Sequence, residues 1–315
     1  GSSVYSTWPA DTYYFGGYEY TSGNQLDFNF GQRSFAYTPR TGHKSLCTTN
    51  LADPTIADGS KAFDTKLYTG NGGSQTITGL NFSPDFTWIK NRNSTDAHIL
   101  TDIVRGAGKF IQSQNTTAET DNSDTATAFS AFTSDGFTVG YNVNWSTNAN
   151  SSPYVSWNWD AGSSTVTNND GNIASNVRAN ASVGFSIVTA SASSAGNTIG
   201  HGLNAAPSLI VAKRTGITSH WPIYHSSVGA NGFLYLNLDN AAGTGADFWN
   251  NSAPTSSVFT VGSDSGVTGG TTVFYCFTPV AGYSAFGSYT GNGSSDGPFV
   301  YTGFRPKWIL MKNTT

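Results

Sequence analysis

Paired carboxylates about 5 to 9 Å apart can hydrolyse glycosidic bonds, but acidic pairs are scarce in this chain of 315 residues. Its two glutamates, Glu19 and Glu119, lie in different segments. Asp121 and Asp124 are close together, in a stretch of Thr, Asn and Asp that lacks the apolar neighbours needed to raise a carboxyl pKa. The pattern is typical of a solvated loop, and no catalytic residue is predicted.

Residues that could bind a metal or act as an activated nucleophile are equally scarce. His220 and His225 are close in sequence, but no cluster of Asp, Glu or Cys completes a metal site around them. Cys47 and Cys276 lie in different segments, without a disulfide framework or a zinc-type spacing. Both are predicted to be small buried side chains. The sequence therefore predicts a protein that is not an enzyme.

Two turns carry the oxygen ligands that calcium prefers. They are Asn168-Asn169-Asp170-Gly171-Asn172 and Ser263-Asp264-Ser265-Gly266. The same composition is typical of ordinary Asx-rich turns. Each of the two turns could therefore bind a structural calcium ion or be an ordinary turn. No other cofactor is expected.

Exposed aromatic rings beside polar side chains can stack on sugar rings. Trp145 and Trp249 lie in polar, loop-like stretches and are the candidate ligand-binding residues. Tryptophans in apolar, strand-like stretches are instead predicted to belong to a sandwich core: Trp88, Trp157, Trp159 and Trp308.

Three apolar runs, each between a proline and a lysine, form the framework for these residues. They are short, rich in bulky and β-branched residues and bounded by turn formers, which predicts buried strands. The runs span residues 86–89 between Pro84 and Lys90, 209–212 between Pro207 and Lys213, and 308–311 between Pro306 and Lys312.

A fixed offset relates the first two runs. Adding 123 to the residue number takes Pro84 to Pro207 and Phe110 to Phe233. Both copies close on an aromatic strand, at 154–159 and at 274–277. The string Tyr-Thr-Gly-Asn-Gly at 68–72 recurs at 289–293. Shared spacing over these landmarks indicates duplication.

The composition favours an all-β protein. Thr, Ser, Gly and Asn supply 143 residues and charged residues only 11%, so helix-forming surfaces are missing, while 14% aromatics argue against disorder. The fold class is predicted to be all-β, with tandem antiparallel β-sandwich domains arranged as beads on a chain. The predicted domains are the end of another β-domain at 1–61, repeat 1 at 62–162, a connector at 163–182, repeat 2 at 183–282 and the start of a truncated repeat 3 at 283–315.

The charge balance excludes some partners. A net charge of −4 gives no basic surface for nucleic acid. No apolar stretch approaches the roughly 18 residues that cross a bilayer. Nucleic-acid binding and membrane insertion are therefore not expected.

The glycine- and tyrosine-rich strings carry a more specific signal. The strings at 282–293 and at 297–306 resemble recurrent segments of long structural proteins of marine tailed bacteriophages. So do the connector from Asn169 to Asn180 and the stretch from Gly200 to Pro207. Residues 28–37 are similar to the end of the SPRY-like domain that often precedes such repeats.

This resemblance implies concanavalin A-like, lectin-type jelly rolls in a virion-surface or tail-fibre protein. It implies a structural and adhesive role, with other virion proteins and a host-surface glycan as partners and a homo-oligomeric fibre as a further expectation. The alternative is a glycan-binding module that recognises the receptor itself, and a capsule depolymerase ranks third. The resemblance supplies no catalytic or ligand motif.

Overall fold

The computed structural model describes residues 33, 34, 38, 54–123, 128–141 and 147–315. The chain divides into two compact units, Gly1–Asp53 and Pro54–Thr315. All strands described here belong to the second unit. The predicted SPRY-like segment at 1–61 lies almost wholly outside the described residues.

The prediction of an all-β fold is confirmed. Every strand pair that joins the named strands is antiparallel. In the described part of the chain, the only helical segment is a 3-10 turn at Gly59–Lys61, which Asp58 caps. No helix in that part is long and apolar enough to cross a membrane.

In its described residues, repeat 1 contains nine strands in two main sheets and one short pair. One sheet has the order β1-β9-β3-β4, the other β2-β8-β7, and β5 pairs with β6. The strands are β1 (Phe63–Thr69), β2 (Gln75–Ile77), β3 (Phe86–Asn91), β4 (Ile99–Asp102), β5 (Lys109–Phe110), β6 (Thr120–Asp121), β7 (Phe129–Thr133), β8 (Gly136–Val139) and β9 (Pro153–Trp159).

Repeat 2 and the connector contain ten strands. The large sheet has the order β10-β11-β12-β19-β14-β15-β16-β17, and β13 pairs with β18. The strands are β10 (Thr165–Asn168), β11 (Ser175–Asn180), β12 (Phe185–Ala192), β13 (Thr198–Gly200), β14 (Leu209–Arg214), β15 (Pro222–His225), β16 (Gly232–Tyr235), β17 (Gly243–Thr244), β18 (Val258–Thr260) and β19 (Gly270–Phe277).

The strand orders of the two repeats correspond. The order β1-β9-β3-β4 matches β12-β19-β14-β15, and β2-β8 matches β13-β18. The offset of 123 also takes the first residue of β3, Phe86, to the first residue of β14, Leu209. The closing strands are β9 in repeat 1 and β19 in repeat 2, and their last residues pair in the same way. Trp159 pairs with Phe63 and Phe86, and Phe277 pairs with Phe185 and Leu209.

The connector is more ordered than its composition suggests. Residues 163–182, expected to be an extended linker, form the antiparallel pair β10-β11. Strand β11 then pairs with β12 along its whole length, from Ser175 opposite Ala190 to Asn180 opposite Phe185. The connector is therefore an edge hairpin of the repeat 2 sheet.

Three hydrophobic clusters hold the unit together. One lies within repeat 1, around Phe129 and Phe137, and a second lies within repeat 2, around Phe259 and Phe274. The third, which we call the shared cluster, takes residues from both repeats, among them Phe86 and Trp159 from repeat 1 and Tyr275 from repeat 2. The repeats therefore share an interior, which replaces the expected beads-on-a-chain arrangement.

Burial on both faces explains the continuous apolar runs. Ile210 and Ala212 of β14 belong to the repeat 2 cluster, whereas Leu209 and Val211 belong to the shared cluster. All six residues of β14 are buried. A strand covered on both faces has no solvent side, so the alternation of apolar and polar residues is lost. The four strand tryptophans predicted to be core all lie in or against the shared cluster.

The third copy does not form the predicted strand. Residues 283–315 contain no strand, and Ile309, Leu310 and Met311 are 64%, 42% and 70% exposed. In repeats 1 and 2 the equivalent strand pairs with a closing strand, and residues 283–315 contain no counterpart of that strand. Trp308 packs against the shared cluster, as Tyr283 and Phe286 do, and its ring centroid lies 5.5 Å from that of Trp159.

The Tyr-Thr-Gly-Asn-Gly string of repeat 1 closes one end of the sandwich. Tyr68 donates a hydrogen bond from its hydroxyl to the Thr147 carbonyl at 2.6 Å. Asn71 and Asn148 bond to each other twice, through backbone N–H to side-chain oxygen at 3.1 Å and between side chains at 2.8 Å. A Cβ on Gly70 would lie 2.2 Å from the Ala149 carbonyl oxygen, so only glycine fits there.

Gly70→Ala is therefore expected to destabilise the protein by about 1–3 kcal/mol, because the added methyl group must push backbone apart. Gly291 is the matched control, since it occupies the same place in the third copy and a Cβ there meets nothing within 4 Å. Urea unfolding of both variants measures the difference. Equal stability of the two variants would contradict this account of the string.

Candidate functional site

The two tryptophans predicted to bind a ligand have different outcomes. Trp145 lies outside the described residues. Trp249 is 1% exposed and belongs to the repeat 2 cluster, where its ring meets that of Tyr224 edge-on at 5.9 Å. A buried ring offers no face to a sugar, so the prediction that Trp249 is exposed in a loop is wrong. Its neighbour Phe248, also buried, was the sequence signal for a core position.

The carboxylates predicted not to be catalytic are engaged within the chain where they are described. Glu119 accepts a hydrogen bond from Arg105 at 2.7 Å, and Glu19 lies outside the described residues. Asp121 is exposed and accepts the Ser123 N–H at 3.1 Å, and Asp124 is also outside the described residues.

The two candidate calcium turns are held by their own hydrogen bonds. Asn168 accepts the Asp170 N–H through Oδ1 at 2.9 Å, and Asn172 accepts the Thr198 N–H through Oδ1 at 2.8 Å. Asp264 accepts the Gly266 N–H at 2.6 Å. Among the described residues, no three His, Cys, Asp or Glu side chains come together to hold a metal. Asn168 and Asp264 therefore form Asx turns, and a structural calcium ion at these places stays a prediction.

A polar cleft of about 200 Å³ opens on repeat 2. We call it the second-repeat cleft. Three loops and one strand end bring its walls together: the β14–β15 loop, the end of β16, the loop before β18 and the turn before β19. Its lining includes Thr218, His220, Tyr235, Phe248, Asp264 and Ser265.

Aromatic rings shape the second-repeat cleft. The Tyr235 ring lies edge-on to Phe233 at 5.3 Å and to Phe248 at 5.7 Å, so its position is fixed by packing. The His220 ring lies 5.1 Å from the Tyr235 ring. Burial raises the pKa of the Tyr235 phenol, and the Asp264 and Asp247 carboxylates raise it further. The phenol therefore stays protonated and is a hydrogen-bond donor at neutral pH.

Polar side chains complete the second-repeat cleft. The Asn237 amide nitrogen lies 3.0 Å from His220 Nδ1. Because an amide nitrogen donates, the neutral ring accepts there and carries its proton on Nε2. Asp264 uses Oδ1 for the Gly266 N–H, and in the described part of the chain Oδ2 has no hydrogen-bond partner. The cleft thus combines an aromatic wall with hydrogen-bond donors and acceptors.

A second polar group, buried between the repeats, has a different character. Arg105 donates from Nε to Asp102 at 2.6 Å, from Nη1 to Glu119 at 2.7 Å and from Nη2 to the Leu100 carbonyl at 3.1 Å. Tyr275 of repeat 2 donates its hydroxyl proton to Asp102 at 2.8 Å. Asp102 is fully buried, and burial raises the pKa of Tyr275 well above its usual range. We call this group the Arg105 network.

Sequence reasoning missed the Arg105 network. Tyr275 lies far along the sequence from the other members, and the position equivalent to Asp102 in repeat 2 is His225, so the duplication gave no sign of the network. The one available signal was the rarity of charge: in a chain with 11% charged residues, Asp102 comes two residues after the apolar pair Ile99-Leu100. The network is closed by its own members, which is typical of a structural ion-pair cluster.

The lysine that ends each apolar run has a shared role. Lys90 donates to the Asn91 and Ser94 carbonyls at 2.8 and 2.7 Å. Lys213 donates to the Thr116 and Ser219 carbonyls at 3.0 and 2.7 Å, and Lys312 donates to a carbonyl as well. Lys213 is fully buried, and this burial lowers its pKa to about 8. The lysine at this position therefore hydrogen-bonds a loop in each copy, and Lys213 also links repeat 2 to repeat 1 through Thr116.

Acid is expected to weaken the fold through His98. Burial, with a smaller contribution from Lys90, lowers the pKa of His98 to about 4. Its Nδ1 accepts the Trp88 indole N–H at 2.8 Å, which requires the neutral ring. The folded pKa lies below the unfolded value of about 6.5, so stability present above pH 6.5 is lost as pH falls toward 4.

His98→Asn tests this expectation, because the amide oxygen takes the place of Nδ1 and can still accept from Trp88 but does not titrate. We expect wild type to lose about 1–2 kcal/mol more than the variant between pH 7 and pH 4, after allowance for partial exposure. Denaturant unfolding at several pH values gives the difference. Other groups that titrate in this window, such as Asp85 with its pKa raised by burial to about 6, cancel in the comparison. Parallel curves would contradict a role for His98.

The geometry defines an all-β protein built from two corresponding antiparallel repeats with one shared interior and a polar cleft on the second repeat. The chain belongs to the family described as domain of unknown function (DUF7483), whose model matches residues 58–315. The match covers both repeats, the connector and the third copy. No curated protein and no solved structure matches the chain.

Proposed function

We propose that the chain is a non-enzymatic structural and adhesive protein of a phage virion surface, built from concanavalin A-like repeats and contacting the host surface. The resemblance of residues 282–306 to marine phage structural proteins supports the location. Other virion proteins are the expected partners, and a fibre of several copies is the expected assembly.

The structural part of the proposal rests on one observation: charged side chains are buried within the described residues. Four charged residues, Asp85, Asp102, Lys213 and Arg214, are buried, and each contacts its own chain. Asp85, for example, lies 2.8 Å from Arg178 and accepts the Ala161 N–H at 2.7 Å. Two of these charges are bonded across the repeats: Lys213 donates to the Thr116 carbonyl at 3.0 Å, and Asp102 accepts the Tyr275 hydroxyl proton at 2.8 Å. Breaking such a contact leaves a charge unpaired in a dry interior, so these bonds fix the repeats to each other. A rigid double repeat suits an appendage that carries load.

Labelling intact particles tests the location. An antibody against the chain, with a gold label, should decorate virions of the phage that encodes it when they are viewed by electron microscopy. Decoration of tail tips would favour receptor contact, and decoration of the capsid or of a filament would favour a structural coat. Particles that stay unlabelled while the denatured particle proteins also lack the chain would overturn the proposal.

The second-repeat cleft favours a second candidate function, a glycan-binding module that recognises the receptor. The cleft presents the half-buried Tyr235 and the exposed His220 to solvent, in the kind of setting where a sugar ring can stack. This function and the structural one are compatible, because many weak contacts add up when copies are displayed together on one particle.

A further inference from the structure

We propose that the second-repeat cleft binds one neutral pyranose ring of a host-surface glycan. The inference rests on the adhesive function proposed above and names the ligand class of its binding site. It is carried by the size, the aromatic wall, the hydrogen-bonding groups and the charge of the cleft.

The size of the second-repeat cleft limits the ligand to a small one. Its volume is about 200 Å³. Clefts that enclose drug-sized ligands measure roughly 300–1,000 Å³, whereas one water takes up about 30 Å³ in the liquid. The cleft is therefore too small for a large ligand and too large for a single water or ion. One sugar ring, with the rest of its chain in solvent, suits this space.

The aromatic wall suits the apolar face of a sugar. Phe233 and Phe248 hold the Tyr235 ring by edge-on contacts. Tyr235 is half-buried, so part of it remains open to the cleft. The C–H face of a pyranose packs against such a ring and gains the dispersion and hydrophobic contacts that aromatic side chains offer. Little ordering of the ring is needed on binding, because it is already fixed.

The polar groups of the second-repeat cleft match sugar hydroxyls, which both donate and accept. His220 Nε2 donates, and Asp264 Oδ2 accepts. The hydroxyls of Thr218 and Ser265 line the same cleft and can do either. An aromatic ring flanked by a small number of placed donors and acceptors is the usual composition of a polar small-ligand site.

The charge of the second-repeat cleft selects neutral sugars over acidic ones. The Asp264 carboxylate lines the cleft, and the Asp247 carboxylate is close enough to act on Tyr235. A uronic or sialic acid would bring a third negative charge beside them, in a chain whose net charge is −4. The Arg214 guanidinium is close to this wall, but it donates to the Ser265, Thr268 and Gly269 carbonyls. Like charges brought together repel, and the cost increases as water is excluded.

Ligand-observed NMR on the full chain tests the proposal. The probes are the methyl glycosides of glucose, galactose and mannose, with methyl glucuronide as the acidic comparison. A ligand of this size is expected to bind one site with a Kd on the order of 1–10 mM. Tyr235→Ala and His220→Ala are each expected to weaken binding at least fivefold. Tyr301→Ala is the matched control, because it removes a 76% exposed tyrosine elsewhere on the surface.

Tyr235→Ala removes packing as well as a ring face and could prevent folding. His220→Ala and Asp264→Asn keep the test valid in that case. His220 is exposed, and its loss should leave the melting temperature unchanged. Asp264→Asn retains the oxygen that accepts from Gly266 and removes only the charge. We expect Asp264→Asn to weaken neutral sugars by about threefold and to narrow their advantage over the glucuronide.

Three results would overturn the proposal: no neutral glycoside binding up to about 50 mM, at least about five times the expected Kd, binding that survives in both the Tyr235 and His220 variants, or tighter binding of the glucuronide. The particle-labelling experiment tests the proposed function separately from this sugar site. A chain found on virions that binds no sugar leaves the structural function standing without this site. A chain that binds sugar but is absent from virions keeps the site and removes the proposed function.

Discussion

Phe86→Ala is expected to reduce the free energy of unfolding by about 3–5 kcal/mol, the usual cost of removing a large buried aromatic ring. Phe86 is 2% exposed and stacks on Tyr275 of repeat 2 at 4.4 Å. Its ring also meets Trp159 at 5.1 Å and Phe185 at 6.0 Å. The side chain therefore fills the space between the repeats, and its loss leaves a cavity that neither sheet can close alone.

Urea unfolding followed by tryptophan fluorescence measures this effect. Leu67→Ala is the matched control, because Leu67 lies on β1 of the same sheet but is 63% exposed, and its loss should change stability by less than about 0.5 kcal/mol. A loss below 1 kcal/mol for Phe86→Ala would mean that the shared cluster contributes little. Separate unfolding transitions for the two repeats in wild type would argue against a shared interior altogether.

Arg105→Met is expected to cost about 3–5 kcal/mol, because it leaves the Asp102 carboxylate buried without its cation. Methionine has a similar length and keeps most of the packing of the side chain. The loss should exceed that of Tyr275→Phe, which removes the hydrogen bond to the carboxylate and the weaker one accepted from Arg105 at 3.2 Å and should cost about 1–2 kcal/mol. Arg105→Lys should not restore stability, because one ammonium group cannot hold the planar set of three acceptors that the guanidinium holds.

A double-mutant cycle decides whether the charge is the cause. Adding Asp102→Asn to Arg105→Met removes the stranded carboxylate, so the pair should be less damaging than the sum of the single variants by at least 1 kcal/mol. Arg92→Met serves as the surface control, since Arg92 is exposed. Simple additivity in the cycle would show that Arg105 matters for packing and not for charge.

The duplication and the main strands could be predicted from the sequence, because they depend on local patterns. The runs at 86–89 and 209–212 became β3 and β14, and the aromatic runs became β9 and β19. Cys276, predicted to be a small buried side chain, is free and buried. The third run failed at 308–311 because a strand also needs partners on its edges, and a local pattern does not carry that information.

The arrangement of the repeats and the composition of the cleft could not be predicted from the sequence. Continuous apolar runs predict burial on both faces of a strand, but they do not identify what covers the second face. Trp249 was mistaken for an exposed ring because its Asn neighbours are polar, while its own side chain turns inward. Tyr235 and Asp264 are 29 residues apart in the sequence (264 − 235), and only the fold brings them together.

The shared cluster also sets the order of events during synthesis. The last strand of repeat 1 is made once Trp159 has left the ribosome, but the repeat 2 strands that cover it are complete only when Phe277, 118 residues later (277 − 159), has followed. At about 5–20 residues per second this interval lasts roughly 6–24 s. During that time Phe63, Phe86 and Trp159 face water. The nascent chain therefore exposes an apolar surface that a chaperone or a neighbouring nascent chain can bind.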